Sequence, residues 1–437
     1  MKVAVIGGSG SFGRIFAGFF KEEGCDVVIT GRNAIKGERV ANELGVAFTT
    51  DNVKAAKESD IVLISVYIEN TIDVIKEVAP HVRDGALLSD VTSVKVEPCE
   101  AMLKYANPRA EIIGMHPMFG PRITSLEGQT VVVTPVRTEK WEKFLLDFLN
   151  RRKARVYVTT PKEHDRIMGV VQGLTHFAYI SLAYTLKDLG VDVKHSRKFA
   201  SPVYELMLDF IARIVGQSPR LYASIQMHNP YTAEVRRVFL EKVKELKDVI
   251  ERRDSHAFSR IMAESARHIG DIDTSMGRSD KAILALTGEL KKLSKAVGKE
   301  VALRHIYSGA VHVGVVKNVT PEEVVLRTNR GRVILKLSNV ELLGKEFLRE
   351  WRLKNMPKTT RDFSVVYPES LQEEPLCKLI EALDPRIISC RVIDTYRGEQ
   401  VPEGKKSITL RVEAIEFSGE DYKKVENMLL GLGGTLR

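Results

Sequence analysis

The sequence predicts an α/β protein whose parallel-sheet domain (residues 1–160) is followed by an all-α domain (161–300), a small β module (301–356) and an α+β domain (357–437). Three observations predict this order. Short apolar runs first alternate with helical patterns, apolar residues then recur at helical spacing, and strand-like runs return near the end. The chain has 437 residues, 44% hydrophobic and 28% charged, so it can bury several cores and is neither disordered nor fibrous.

In the first domain, apolar runs typical of buried strands alternate with amphipathic helical patterns. The predicted strands are 2–6, 27–30, 61–66, 87–90, 111–114 and 130–134, and the predicted helices are 12–23, 36–44 and 70–78. Strands joined through helices run parallel, because the crossover helix returns the chain to the same end of the sheet. Ligands of such sheets bind beyond the carboxyl ends of the strands.

The first strand runs directly into a glycine-rich turn that opens the first helix. Gly8, Gly10 and Gly13 match the pattern G-x-G-x-x-G. The first glycine allows the tight turn, the second lets the backbone approach a pyrophosphate, and the third lets helix and strand pack closely. Because the motif lies between a strand and a helix, it predicts a Rossmann-type dinucleotide-binding domain. The predicted cofactor-binding residues of the turn are Gly8, Ser9, Gly10, Ser11, Phe12 and Gly13.

The residues after the second strand bear on the choice between NAD and NADP. An acidic residue about 20 positions beyond the glycines usually binds the ribose 2′-hydroxyl of NAD. Here that place holds Arg32, whose guanidinium pairs well with a 2′-phosphate. The sequence therefore favours NADP, with Arg32 and Thr30 reading the 2′-phosphate. An NAD site beside a solvated arginine is the alternative.

Charge, hydropathy and cysteine usage indicate the setting of the protein. The net charge is +9, and the excess lies in residues 151–300, which hold 27 Lys+Arg against 18 Asp+Glu. A cleft for an anionic small molecule explains this excess, and a basic surface without a special role is the alternative. The longest apolar run, 61–68, is far shorter than the roughly 20 residues of a membrane helix. The four cysteines lack paired metal or redox spacing, so we expect reduced thiols in a cytoplasmic protein without a metal site. The short apolar runs predict that the chain has no membrane segment.

Four further motifs follow the glycine-rich turn. They are DVTSVK (90–95), GMHPMFGP (114–121), QGLTHF (172–177) and SPVY (201–204), the last followed by Arg213. In this order they resemble the prephenate dehydrogenase family over about residues 1–290. The resemblance implies a homodimer formed through the helical domain. It also implies NAD(P)-dependent oxidation of prephenate to 4-hydroxyphenylpyruvate with loss of CO2, a step of tyrosine biosynthesis.

The resemblance also implies roles for individual residues. His116 matches the family histidine that contacts the substrate hydroxyl, and an imidazole suits proton removal because its reference pKa is about 6.5. Ser93 matches the serine that hydrogen-bonds this histidine and the hydroxyl. Arg213 matches the arginine that grips a substrate carboxylate, and His176 a histidine of the substrate pocket. Lys95 is predicted to bind substrate, or else to support the loop or the cofactor.

One position departs from the family pattern. Some relatives carry a second arginine just after the SPxY tetrad, where this chain has Glu205. Other cations, from the middle third or from a partner subunit, would then anchor the pyruvyl side chain of the substrate.

The C-terminal third carries a second resemblance. Its predicted order of strand, helix, strand, strand and helix is that of a ferredoxin-like domain. Residues 361–364, 392–399 and 401–407 resemble the ferredoxin-fold anticodon-binding domain of phenylalanyl-tRNA synthetase β subunit. Residues 357–437 carry 12 Lys+Arg against 14 Asp+Glu, which argues against strong RNA binding, although the preceding β module is net basic. We therefore expect an appended regulatory or assembly domain, with an aromatic amino acid as the candidate ligand.

Three other functions are weighed against this one. Arogenate dehydrogenase differs only in the side chain of its substrate, and the sequence does not separate the two. A β-hydroxyacid dehydrogenase would need a catalytic lysine motif in the second domain, where this chain has His176. An RNA-associated protein with a degenerate dehydrogenase would show damaged catalytic motifs, and these are intact.

Overall fold

The computed structural model describes residues 1–121 and 123–437, without the side chains of residues 286 and 287. The chain divides into two compact units, residues 1–272 and 273–437. The first unit holds an eight-stranded sheet and a helical region, and the second holds two smaller sheets. The predicted succession of a Rossmann-type sheet, helices, a small β module and a ferredoxin-like domain is confirmed.

The eight-stranded sheet has the order β3-β2-β1-β4-β5-β6-β7-β8. Neighbouring strands are parallel except for β6 and β7, which are antiparallel. The strands are β1 Lys2–Ile6, β2 Asp26–Thr30, β3 Ala47–Thr49, β4 Ile61–Ile64, β5 Leu87–Asp90, β6 Glu111–Pro117, β7 Thr130–Arg137 and β8 Arg155–Val158. The antiparallel pair departs from the expected parallel sheet, because the described part of the β6–β7 connection contains no crossover helix.

Helices cover both faces of this sheet and bury two apolar layers. The central strands are fully buried, as the continuous Val, Ile and Leu runs predict for parallel strands. The helices are α1 Ser11–Glu22, α2 Ala34–Leu44, α3 Asn52–Lys57, α4 Ile68–Val78, α5 Val96–Tyr105 and α6 Trp141–Arg151. Strands β3 and β8 were not predicted, since they are short edge strands with mostly exposed or half-buried residues.

The helical region of the first unit follows β8 directly. Its helices are α7 Pro161–Met168, α8 Thr175–Asp188, α9 Val193–Ser196, α10 Pro202–Val215, α11 Pro219–His228, α12 Thr232–Glu251 and α13 Ser255–Ile269. Between α7 and α8, Gly169–Leu174 winds as a π-helix. Two glycines there let α12 approach, because a Cβ on Gly173 would lie 2.8 Å from Cγ2 of Thr232.

This region exposes many large apolar side chains. The helical run Pro161–Asp188 is long and apolar enough to cross a membrane by length and composition alone, and 17% of its apolar 18-residue window is buried. Such a run was not predicted from the sequence, and a single one is weak evidence for a membrane span. An apolar helix that docks against another subunit has the same composition.

The second unit begins with α14 (Ile272–Ser294) and a five-stranded antiparallel sheet ordered β12-β11-β10-β9-β13. Its strands are β9 Glu300–His305, β10 Val311–Val319, β11 Glu323–Thr328, β12 Gly331–Lys336 and β13 Val340–Leu342, and α15 is Lys345–Asn355. Leu293 of α14 is fully buried in the core of this sheet. Helix α14 thus packs with the β module, and the four-domain division at 160, 300 and 356 stays a prediction.

The ferredoxin-like domain has the sheet order β15-β16-β14-β17. Its elements are β14 Lys358–Pro368, α16 Glu373–Leu383, β15 Ile387–Tyr396, β16 Lys405–Ile415, α17 Gly419–Gly431 and β17 Thr435–Leu436. The two helices cover one face of the sheet and bury alternate strand residues. The short final strand closes the predicted βαββαβ order.

Candidate active site

The turn between β1 and α1 is as tight as its glycines predict. A Cβ built on Gly13 would lie 2.6 Å from Cα of Gly8, and one on Gly8 would lie 2.6 Å from Cβ of Ile29. Gly7, which was not among the predicted residues, adopts the left-handed φ of 81° that favours glycine. The strand, turn and helix can therefore approach this closely only without side chains at these positions.

The N-terminus of α1 suits an anion. Gly10 caps the helix without a side-chain hydrogen bond, and the first turn, which includes Ser11 and Phe12, contains no acidic residue. Its amide groups thus point outward with the positive end of the helix dipole. The backbone N–H of Ser9 lies 3.4 Å from the carbonyl oxygen of Thr30. This cradle fits the pyrophosphate of a dinucleotide, which the turn and helix would hold.

The structure places the side chain of Thr30 inside the protein. It is fully buried, and its hydroxyl accepts a hydrogen bond from the N–H of Gly7 (3.1 Å) and donates one to Oδ1 of Asn52 (2.7 Å). Thr30 therefore supports the glycine-rich turn, and its contact with a 2′-phosphate stays a prediction. Arg32 lies at the surface just beyond β2, and its guanidinium has no ion-pair partner in the described part of the chain.

The loops that follow β1 and β6 meet at one edge of the sheet. The rings of Phe12, in the first turn of α1, and Phe119, just beyond β6, lie 6.1 Å apart. His116 is the sixth residue of β6 and is buried. The predicted base therefore lies on a strand whose end adjoins the dinucleotide cradle.

Both ring nitrogens of His116 have partners that the sequence did not predict. Its Nδ1 lies 2.8 Å from Nε2 of His164, and its Nε2 lies 3.3 Å from Nε2 of Gln172. His164 in turn places Nδ1 2.7 Å from Oδ1 of Asp165. The carboxylate of Asp165 accepts the backbone N–H groups of Lys95 and Val96, both at 2.8 Å. We call His116, His164 and Asp165 the histidine relay.

Burial keeps the two histidines of the relay neutral. Burial is the largest cause that lowers the pKa of His116 well below its ordinary value, and the neighbouring His164 and Lys95 lower it further. Burial also lowers the pKa of His164, against the opposing effect of its hydrogen bond to Asp165. A neutral imidazole has a free nitrogen lone pair, so His116 is in the form that accepts a proton.

Lys95 is also inside the protein. Its side chain is fully buried, and its ammonium lies 2.5 Å from Oδ2 of Asp90 and donates to the carbonyl oxygen of Met115 (2.8 Å). A Cβ on Gly114 would lie 3.0 Å from Cδ of Lys95, so that glycine leaves room for the side chain. Lys95 thus connects the loop after β5 to β6, immediately before His116, and its contact with substrate stays a prediction.

Ser93 lies half-buried in the same loop. The hydrogen bonds within residues 1–121 and 123–437 include none from its hydroxyl to His116, whose nitrogens face His164 and Gln172. Its contact with the histidine and with the substrate hydroxyl stays a prediction.

His176, Tyr222 and Arg213 form a second cluster. The rings of His176 and Tyr222 are 4.4 Å apart, and the positive charge of Arg213 acts on the Tyr222 hydroxyl. Burial lowers the pKa of His176 to about 4, and its Nδ1 has no hydrogen-bond partner among the described residues. The buried Oε1 of Gln172 is likewise without one. Gln172 lies in the π-helix and His176 in the first turn of α8, four residues later.

Glu205 is neutralised within the helical region. Its carboxylate pairs with Arg197, which also pairs with Asp209 at 2.8 Å. Because two carboxylates already pair with Arg197, it is not the cation that would bind a substrate carboxylate in place of the missing second arginine. Arg213 is exposed, and its guanidinium carries no ion pair within residues 1–121 and 123–437.

Fold and site together define a class of protein: a dinucleotide-dependent dehydrogenase with a buried histidine on the strand that ends beside the dinucleotide cradle. Residues 16–158 match the family described as prephenate dehydrogenase, nucleotide-binding domain, and residues 160–264 match prephenate dehydrogenase, dimerization domain. The "probable arogenate/prephenate dehydrogenase" of Methanocaldococcus jannaschii is 42% identical over 446 residues, covering 100% of this chain and 98% of that protein. The chain belongs to the prephenate dehydrogenase family.

Other relatives match about two thirds of the chain. The T-protein of Haemophilus influenzae is 28% identical over 67% of this chain and 73% of its own length. The structure of prephenate dehydrogenase from Aquifex aeolicus with hydroxyphenyl propionate and NAD+ superposes with a TM-score of 0.52 at 21% identity, covering 62% of this chain and 98% of that one. The structural similarity to the Aquifex aeolicus protein shows that the two chains share a fold. Residues 355–418 match the ferredoxin-fold anticodon binding domain, which confirms the second resemblance.

Proposed function

We propose that this protein is an NAD(P)-dependent prephenate dehydrogenase, which oxidises prephenate to 4-hydroxyphenylpyruvate with loss of CO2. The observation that carries the proposal is His116, a buried neutral imidazole on the strand that ends beside the dinucleotide cradle. The bound nicotinamide supplies the hydride acceptor. Gly8, Gly10 and Gly13 with the first turn of α1 would hold its pyrophosphate.

His116 supplies the base for this oxidation. As hydride leaves the carbinol carbon, the hydroxyl proton must leave too, and Nε2 of His116 accepts it. The resulting vinylogous β-keto acid loses CO2 and becomes an aromatic ring, so no separate group is needed for decarboxylation. Burial excludes water from the imidazole and keeps it unprotonated before substrate binds.

The cluster around Arg213 is suited to the anionic part of the substrate. Prephenate is a dianion, and a guanidinium binds a carboxylate through two parallel hydrogen bonds. His176, neutral because of burial, offers a hydrogen bond and not a charge. Oε1 of Gln172 and Nδ1 of His176 are buried polar atoms without a partner among the described residues, and a bound hydroxyl or water would satisfy them. Ser93 lies in the same loop as Lys95, and its hydroxyl is proposed to hydrogen-bond His116 and the substrate hydroxyl.

We propose NADP as the preferred cofactor, with NAD possible. The support is Arg32 beyond β2, which has no ion-pair partner within residues 1–121 and 123–437 and stands where an NAD enzyme usually has a carboxylate. Relatives differ: the yeast protein is named prephenate dehydrogenase [NADP(+)], whereas the Aquifex aeolicus structure is a complex with NAD+.

We also propose a cytoplasmic homodimer assembled through the helical region. The support is the match to a dimerization domain together with the exposed apolar side chains of α8, α10 and α12. Light scattering of the purified chain measures its mass, and a monomer would contradict this assembly.

The second unit is proposed to regulate the enzyme. Its ferredoxin-like domain is slightly acidic, which disfavours RNA and leaves an aromatic amino acid as the candidate ligand. Tyrosine inhibition of the full chain should exceed that of a chain ended at Gly270. Equal inhibition of both chains would contradict the proposal.

A single assay at 340 nm tests the activity. Prephenate and arogenate are each offered with NADP+ and with NAD+, and reduced cofactor is measured. Turnover of prephenate is the expected result. Turnover of arogenate alone would make the protein an arogenate dehydrogenase, and no turnover with either would refute the proposed function.

A further inference from the structure

We propose that His164 and Asp165 are positioning residues, which hold His116 in the one tautomer whose Nε2 can accept the substrate's proton. The proposal rests on the proposed function, because it concerns the same proton transfer. It stands on the geometry of the histidine relay, in which three buried side chains follow one another at 2.8 and 2.7 Å.

The carboxylate at the end of the relay sets the direction of every proton in it. An ionised Asp165 can only accept, so the 2.7 Å contact requires the proton of His164 to be on Nδ1. The Nε2 of neutral His164 then carries a lone pair and accepts from Nδ1–H of His116. The remaining nitrogen of His116, Nε2, is therefore unprotonated. It faces the amide of Gln172, which can donate to it, so a substrate hydroxyl must take the place of that amide before Nε2 accepts the proton.

The backbone fixes the carboxylate in turn. The backbone N–H groups of Lys95 and Val96 donate to the two carboxylate oxygens of Asp165. Nδ2 of Asn229 donates to the backbone carbonyl oxygen of Asp165 at 2.8 Å. Asp165 thus joins the helical region to the loop after β5. Both carboxylate oxygens thus accept from backbone N–H groups, which fixes the carboxylate in its orientation toward His164.

The relay also has a place for the charge that the reaction creates. When Nε2 of His116 takes the hydroxyl proton, the ring becomes an imidazolium in a buried site. Its Nδ1–H then donates a charge-assisted hydrogen bond to His164, which Asp165 polarises from the far side. The other charged groups that act on the relay are Lys95 and Asp90, which pair at 2.5 Å; the charge of Lys95 lowers the pKa of both histidines, and that of Asp90 raises the pKa of His164. Asp165 is thus the negative charge that the new cation meets.

Replacing Asp165 by Asn tests the tautomer directly. An Asn amide can be placed in two ways. With its NH2 group in the place of Oδ1, it would donate to His164 Nδ1, so His164 would donate from Nε2 to His116 Nδ1, the proton of His116 would be on Nε2, and the base would be lost. With its NH2 group in the place of Oδ2, it would face the N–H of Val96, and the negative charge opposite His164 would be lost. We expect kcat to fall about 10²- to 10⁴-fold, the usual worth of a positioned base. KM for the substrate and for the cofactor should change by less than about threefold, since neither the cradle nor Arg213 is touched.

Two further variants separate positioning from folding. His164→Gln keeps Asp165 and its backbone bonds, and its carbonyl oxygen can still accept from His116 Nδ1–H. It should therefore lose less activity than Asp165→Asn. Glu163→Gln is the matched control, because Glu163 lies beside His164 on α7 but pairs with Arg166 in solvent at 2.8 Å. It should keep the wild-type rate.

Rates at pH 5.5 to 9 and melting temperatures complete the experiment. The proposal predicts the order Glu163→Gln, His164→Gln, Asp165→Asn for falling kcat, with the acidic limb of the kcat/KM profile changed only in the last two. Equal losses in the His164 and Asp165 variants with a raised KM, or wild-type rates in both, would overturn the positioning role while leaving the proposed function intact. An inactive wild type would overturn both.

Discussion

Replacing His116 by Asn should abolish most turnover without unfolding the protein. The amide Nδ2 of Asn stands near the place of Nδ1 of the imidazole, so it can still donate to Nε2 of His164, 2.8 Å away in the native site. What is lost is Nε2, the proton acceptor. A positioned general base contributes about 10²- to 10⁴-fold, or about 3 to 5 kcal/mol of barrier.

The measurement is the steady-state rate at 340 nm with prephenate, and isothermal titration for cofactor binding. We expect kcat to fall by the full factor while the Kd for the cofactor stays within about twofold, because the cradle of α1 is separate from the relay. His256→Asn, at an exposed position on α13, is the control for the substitution itself. A His116→Asn enzyme that keeps more than about a tenth of wild-type kcat would refute the assignment of the base.

Three other predictions follow from the same site. Arg213→Gln should raise KM for prephenate about 10- to 100-fold with a smaller change in kcat, since a charged hydrogen-bonded pair contributes about 1.5 to 3 kcal/mol; an unchanged KM would place the substrate carboxylate elsewhere. Arg32→Ala should raise KM for NADP+ about tenfold or more and leave that for NAD+ unchanged, and equal effects on both would remove the 2′-phosphate contact. The melting temperature should fall as pH drops from about 6.5 toward 4, because the pKa of His176 is lowered to about 4 and the unfolded chain binds the proton first. His176→Gln should weaken that dependence, and an unaltered melting profile would contradict it.

The fold was predictable because local patterns and tertiary structure agree in most of the chain. Buried parallel strands appear as continuous apolar runs, and the glycine-rich turn lies between a strand and a helix. The edge strands β3 and β8 and the antiparallel step from β6 to β7 were not predicted. Edge strands carry little apolar signal, and the direction of a strand depends on whether its connection crosses the sheet.

The site was predictable only where a motif carried it. His116 was found through GMHPMFGP, whereas His164 and Asp165 occupy adjacent positions with no recognisable spacing to it. Only the fold brings α7 against β6, so the 2.8 Å contact between the two histidines could not be inferred from sequence. Thr30 was assigned to the cofactor because it ends the second strand beside Arg32, and Lys95 to the substrate because it ends the motif DVTSVK. The structure shows that both polar groups have partners inside the protein, which no sequence pattern indicated.

The pH dependence of kcat/KM for prephenate tests the central claim most directly, since it reports the protonation of groups in the free enzyme. A buried neutral His116 predicts an acidic limb whose pKa lies below 6.5 and which disappears in His116→Asn. A limb at or above 6.5, or one that persists in that variant, would show that another group removes the proton.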